Sequence, residues 1–365
     1  MVNVIRPAKC TAIPEIDYQG FDTNIHKKLV RDRVPLAGNF ELTFRCNMNC
    51  LHCYLSASRS QRHLKRELTL DQIFKVIDEL AAAGVLFLLL TGGEPLCRQD
   101  FTHIYTYIKR KGILVGLFTN GTLINRNSAK LLAELPPVDV EISLYGATKK
   151  TYESITRVPG SFDRCMRGIH LLLEEGVNLK IKTIIVNENK HEIEQMKEFA
   201  KSLGINFRYD ALIIPCLTGD KTPYDHRLSP QEAVKYDFDS VSKRAFWKHQ
   251  LETSPLQTEY LYLCGAALTT FNIDPSGGLG ACLMARSPSY NLLTGSFMHG
   301  WETFLYREFR QKKVDHETKC TDCRLVSICD RCPGWSSMEK GAPEAPIEYL
   351  CTLARLRARE LGVKI

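Results

Sequence analysis

Three cysteines, Cys46, Cys50 and Cys53, fall within eight residues in the run CNMNCLHCY. The thiolate is the metal-binding form of cysteine, and a C-x3-C-x2-C loop presents three of them together. Four thiolates are usual for a purely electron-carrying iron–sulfur cluster, so three leave one iron of a [4Fe–4S] cube open to a cofactor or substrate. Zinc is the rival chemistry and would need a fourth Cys or His. His52 lies inside the last spacer, poorly placed to close a tetrahedron. Seven more cysteines lie between 264 and 351: C264-x12-G277-x4-C282, C320-x2-C323-x5-C329-x2-C332, and C351. Five residues between the two CxxC pairs are short for a zinc ribbon, which uses roughly 12–20. Seven cysteines also exceed one zinc site. Cys10, Cys97, Cys165 and Cys216 stand apart and read as buried, inert cysteines. Cys97 and Cys216 are also open to a reading as redox thiols or ligands.

The first cysteine loop follows a strand-like segment, FELTF (40–44). Beyond it, strand-like and helix-like segments alternate. VLFLLL (85–90), ILVGLF, VDVEISL (138–144), LKIKTIIV (179–186) and INFRYDALII (205–214) read as strands. Between them lie amphipathic helical stretches, with Thr69, Asp100 and Ser161 as candidate N-terminal residues. Six strands with helical crossovers imply an α/β fold on a parallel sheet, doubly wound or barrel. In either case chemistry belongs at the C-terminal ends of the strands, where the cysteine loop lies. The expected organisation is an N-terminal extension (1–37), the α/β core (38–215), a bridge (216–256), a cysteine-rich domain (257–355) and a tail (356–365). DPSGGLG (274–280) between short apolar runs predicts a β-hairpin in the cysteine-rich part.

At 365 residues, 44% hydrophobic and 24% charged, the chain can bury a sizeable core without disulfides. The net charge of +7 is mild and scattered, which argues against nucleic-acid binding. No run of 18 apolar residues predicts a membrane span, and the N-terminus does not read as a signal peptide. The expected location is cytoplasmic. There fourteen cysteines point to metal or redox chemistry rather than disulfides.

C-x3-C-x2-C followed by an aromatic, here Tyr54, resembles the signature of the radical S-adenosylmethionine (SAM) superfamily. TGGEP (91–95), TNG (119–121) and ISLYG (142–146) match that family in the same order. The resemblance implies a partial (β/α)6 barrel in which Cys46, Cys50 and Cys53 hold a [4Fe–4S] cluster. The open iron would chelate SAM, and reductive cleavage would yield a 5′-deoxyadenosyl radical that abstracts hydrogen from a substrate. Gly92, Gly93, Glu94 and Pro95 would meet the methionyl amino group. Tyr54, Asn120 and Ser143 would contact SAM, with Arg157 and Lys182 as further candidates.

The C-terminal cysteines resemble the SPASM extension of one branch of this superfamily, an α+β module with two auxiliary [4Fe–4S] clusters, three clusters in all. The resemblance implies that Cys264, Cys282 and Cys332 hold the first auxiliary cluster, and Cys320, Cys323, Cys329 and Cys351 the second. The branch usually places three residues between its fifth and sixth cysteines; this chain has two, Asp330 and Arg331. The first auxiliary cluster lacks a fourth cysteine, leaving an open iron, a non-cysteine ligand or Cys216.

That branch acts chiefly on peptides and proteins, so the expected activity is oxidative modification of a ribosomally made peptide, such as a cross-link or an epimerisation. Asp210, closing FRYD, is the candidate catalytic residue, to take a proton or bind a substrate amine. Sulfatase-maturing relatives place an Asp where this chain has Leu283, which counts against formylglycine formation. About 38 residues before the first strand are fewer than the roughly 80 of a winged-helix leader-binding domain, since an independent domain needs at least ~50. A separate leader-binding protein is one expected partner, and an external donor such as flavodoxin or ferredoxin another. A small-molecule substrate is the second enzymatic reading. A non-catalytic iron–sulfur electron carrier is the third, against which TGGEP and ISLYG speak.

Overall fold

A computed structural model describes residues 25, 27–55, 66–253, 259–314 and 318–363; Cys10 lies outside them. Six parallel strands, β1 (Ala37–Thr43), β2 (Phe87–Gly92), β3 (Leu114–Thr119), β4 (Asp139–Ser143), β5 (Leu179–Ile184) and β6 (Asn206–Asp210), stand in sequential order. A doubly wound sheet would reverse its strand order part-way. This order has no reversal, so successive right-handed crossovers keep their helices on one side, as in a partial barrel.

The crossover helices are α1 (Leu70–Ala82), α2 (Phe101–Arg110), α3 (Arg126–Glu134), α4 (Lys149–Thr156), α5 (Ser161–Glu174) and α6 (Ile193–Ser202). Their apolar faces cover the strands: Ile73, Ile77, Ile104, Leu132, Ile169 and Met196 are buried with Phe40, Leu90, Leu117, Ile142 and Ile181. Alternate strand residues therefore face the concave side, and several are charged. On β4 and β5, Asp139 pairs with Lys180 at 2.6 Å and Glu141 lies 3.8 Å from Lys182.

Thr69 caps α1 in a capping box with Gln72. Asp100 precedes α2 without a side-chain cap; its carboxylate instead holds Arg98 at 2.7 Å. Ser161 is the first residue of α5 rather than its cap. Gly160, in the left-handed region, occupies the cap, and the Ser161 hydroxyl bonds Thr156. The sequence reading missed α4, whose KKTYESIT offers little periodicity. The bridge forms two helices, α7 (Pro230–Asp237) and α8 (Val241–Thr253).

The expected hairpin is present and also extends the barrel sheet. β7 (Thr270–Ile273) pairs parallel with β1, and β8 (Gly278–Gly280) and β9 (Tyr290–Asn291) follow antiparallel, giving one nine-stranded sheet. α9 (Gly300–Arg310, π-wound) buries Trp301 against the ring of Phe271 on β7. α10 (Pro333–Lys340) and α11 (Glu348–Glu360) complete the cysteine-rich end.

Candidate active site and auxiliary cysteine sites

The first cysteine loop hangs from two regular elements. Its Asn49 and Leu51 N–H groups donate to Thr156 and Ile155 carbonyls, both at 3.0 Å, so the C-terminus of α4 holds the loop's middle. Its start lies against GGEP. The Gly93 N–H donates to the Thr43 carbonyl and the Glu94 N–H to that of Arg45, each at 2.8 Å. Gly92 has φ 121°, which favours glycine. A Cβ on Gly93 would stand 2.3 Å from the Arg45 carbonyl oxygen. The paired glycines thus let GGEP approach the cysteine loop backbone-to-backbone.

Glu94 is fully buried and turns toward the protein. Its carboxylate accepts from the Asn120 N–H at 2.7 Å, the Thr119 hydroxyl at 2.8 Å and the Leu96 N–H at 3.1 Å. Burial pushes its pKa up to about 7 despite these donors. Asn120 completes the link: its Nδ2 donates to Asn47 Oδ1 at 2.9 Å and lies 3.9 Å from Cys46 Sγ. GGEP, TNG and the cysteine loop are therefore one hydrogen-bonded unit, with Glu94 as its buried tie and Pro95 beside it. Donors aimed at the thiolates and close-packed glycines suit an anionic cluster with a chelated cofactor.

Ser143 ends β4 and bonds the half-buried Tyr145, whose hydroxyl is held well above its ordinary pKa by the surrounding protein and the nearby cysteines. Tyr145 meets His52 edge-on at 4.6 Å. Tyr54 adjoins Cys53 and the Glu41 carboxylate, and burial raises its hydroxyl too. Lys182 pairs with Ser143 in the β4–β5 register. Its amine lies 2.8 Å from the Phe118 ring centroid, and burial pushes its pKa well down. Arg157 is exposed, ending α4 in the left-handed region. Asp210 ends β6, accepting from the Leu212 N–H at 2.8 Å. It keeps accessible surface, yet the surrounding protein and Asp330 raise its carboxyl above the ordinary range. Cys97 is half-buried, its thiol raised to about 11 by burial and by Glu94 and Cys46.

One feature of the concave face was missed. Glu41 on β1, fully buried, accepts from Asn272 Nδ2 at 3.1 Å and pairs with Arg286 at 2.6 Å, joining β1 to β7 and to the loop after Cys282. Its signal was a charge inside the apolar FELTF.

In the cysteine-rich end, two sets come together. Cys264 and Cys282 are the thiols whose charges bear on Cys332. Cys351 and Cys320 are those that bear on Cys329. The Cys323 N–H reaches the Cys320 carbonyl at 3.5 Å. Cys332 caps α10, its sulfur accepting from the Trp335 N–H at 3.4 Å; Cys282 accepts likewise from Ala285 at 3.2 Å. These donors favour thiolates, but burial outweighs them and holds both thiols above their ordinary range, Cys332 at about 11. Cys216 is buried against the Cys53 carbonyl at 3.6 Å, on the side of the first loop. Among the described residues no three or more His, Cys, Asp or Glu close up around a single metal ion. A cavity of about 240 Å³ between the start of the bridge and the cysteine-rich end is lined by Leu217, Tyr262, Met284, Arg286 and Met338.

Residues 40–200 match the radical SAM superfamily. The chain is 30% identical over 307 residues to the mycofactocin maturase MftC of Mycolicibacterium smegmatis, covering 81% of this chain and 77% of that one. The chain belongs to the radical SAM superfamily. It is a radical SAM enzyme, and its cysteine-rich end fits the SPASM branch. It is also 33% identical over 313 residues to AlbA of Bacillus subtilis, the biosynthesis protein of the antilisterial bacteriocin subtilosin, covering 82% of this chain and 65% of that one. Streptococcus suis SuiB, bound to its precursor peptide SuiA, shares the fold at a TM-score of 0.68 and 19% identity, over 96% of this chain and 84% of that one. Membership implies a [4Fe–4S] cluster and SAM. No helix among the described residues is long and apolar enough to cross a membrane.

Proposed function

We propose that this enzyme modifies a ribosomally made peptide by hydrogen abstraction, using one SAM-binding cluster and two auxiliary clusters. The single observation that carries the reading is that likeness to MftC extends over 81% of the chain, well beyond residues 40–200. AlbA, a bacteriocin biosynthesis protein, and SuiB, bound to a precursor peptide, support it.

Cys46, Cys50 and Cys53 would hold the first cluster, Cys264, Cys282 and Cys332 the first auxiliary one, and Cys320, Cys323, Cys329 and Cys351 the second. When bound, the first cluster and SAM supply the 5′-deoxyadenosyl radical. The protein's part is to hold and to shield. Gly92 and Gly93 would bring the GGEP segment close enough to the cysteine loop to meet the methionyl end, and Glu94 keeps Asn120 aimed at Cys46. Ser143 and Tyr54 would hold the cofactor from β4 and from the loop, with Arg157 and Lys182 as the basic side chains for its carboxylate. Asp210, with its raised pKa, stands at the mouth to exchange a proton with substrate. The domain limits at 38–215, 216–256 and 257–355 follow this division of labour. An external electron donor such as flavodoxin or ferredoxin, a separate leader-binding protein and a cytoplasmic setting complete the reading.

Co-expression with short peptides encoded beside the gene, followed by mass spectrometry, tests it. A mass change in one peptide that disappears in the Cys46→Ala variant is expected. Unaltered peptides, with 5′-deoxyadenosine production coupled instead to a small metabolite, would overturn the peptide substrate.

A further inference from the structure

Arg357 is 1% exposed on α11, six residues beyond Cys351. Its Nε donates to Asp237 Oδ2 at 2.7 Å and its Nη1 to the Ile328 carbonyl at 2.9 Å. Its Nη2 lies 2.6 Å from Asp330 Oδ2, and its guanidinium lies 3.7 Å from the centroid of Trp247. The residue therefore gathers α7, α8 and the turn before Cys329 around one buried cation.

Asp330 is half of the two-residue spacer between Cys329 and Cys332, where the SPASM pattern usually has three residues. That spacer joins the two cysteine sets. Its carboxylate exerts the largest charge effect on Cys329, and Arg357 opposes it there. Asp237 and Asp210 bear on the same region. A guanidinium stays charged when buried, and its field is screened little there. Cluster potentials respond to net charge and to the groups around the sulfurs. Without the cation, two crowded carboxylates would stand beside an anionic cluster and oppose its reduction.

We infer that Arg357 is a positioning residue of the second auxiliary site, fixing the shortened spacer through Asp330 and raising the reduction potential of the cluster bound there. The inference rests on the reading that Cys320, Cys323, Cys329 and Cys351 hold a cluster. Anaerobic redox titration of the holoenzyme, followed by electron paramagnetic resonance, tests both separately. Cys351→Ser identifies the component of that cluster by its loss; if none is lost, the ligand reading fails. For that component, Arg357→Met shifts the midpoint to lower potential and Arg357→Lys restores most of it. Asp330→Asn shifts it to higher potential, and the other components stay in place. A purely structural role would not move Arg357→Met and Asp330→Asn in opposite directions. Shifts of the same sign in Arg357→Met and Asp330→Asn, or no shift in an Asp330→Asn protein of full iron content, would overturn the inference.

Discussion

The two cysteine regions are built on different scaffolds. The first loop is tied backbone-to-backbone to regular elements: the carbonyl end of α4, and the crossing of β1 with β2 through two glycines. The second region takes its cysteines from turns and helix starts, with Cys282 beyond the short β8, Cys332 capping α10 and Cys351 in the first turn of α11. Hydrogen bonds between backbones tolerate little displacement, whereas cysteines on separate loops are organised by side chains such as Arg357 and Arg286. Damage should therefore be all-or-none in the first region and graded in the second.

The largest expected effect separates the two outright. Replacing Cys46, Cys50 and Cys53 together by Ala should abolish SAM cleavage while iron remains in the C-terminal region. Iron analysis beside a product assay checks this, and complete iron loss would break the division. Next comes Gly93→Ala, which forces a Cβ to 2.3 Å from the Arg45 carbonyl oxygen. Backbone must move, so a destabilisation above about 2 kcal/mol and at least a tenfold loss of SAM cleavage are expected. Gly341→Ala is its counterpart. Gly341 ends α10 at φ 73° with open space around it, so only conformational strain of about 1 kcal/mol applies, with SAM cleavage retained. Denaturant unfolding of the two variants measures the contrast.

A smaller effect depends on pH. The Glu94 carboxyl, raised to about 7, keeps its proton in the native state where an unfolded carboxyl, near 4.3, has lost it. Stability therefore falls as pH rises from about 4 to about 7 and then levels off. Protonation turns one carboxyl oxygen into a donor and weakens the hold on Asn120, Thr119 and Leu96, so SAM binding should weaken as pH drops through 7. Glu94→Gln should remove both dependences, readable by thermal unfolding and SAM titration across that range. Smallest is Thr69→Ala, which removes a cap on α1 for about 1 kcal/mol and leaves the cluster sites alone.

What the sequence disclosed follows the same contrast. Strand alternation and short motifs marked the segments that the structure brings together, GGEP, TNG and the cysteine run, because they sit at strand ends where local sequence dictates geometry; Asn47 and Glu41, which join them to their surroundings, carried no such motif. Spacing exposed the second cysteine groups but not their surroundings. Arg357 lies 27 residues after Asp330, and such long-range pairing leaves no local pattern. α4 escaped notice because its role is to offer carbonyls, which any sequence supplies. The merging of β7–β9 with the barrel sheet was equally hidden, since hairpin signals do not name the strand that will receive the hairpin.

The most direct test of the whole account is reductive cleavage of SAM. Anaerobically reconstituted protein reduced with dithionite should release 5′-deoxyadenosine, and Ser143→Ala and Glu94→Gln should lower the rate while retaining the clusters. Fully iron-loaded wild-type protein that releases none would contradict the account at its centre.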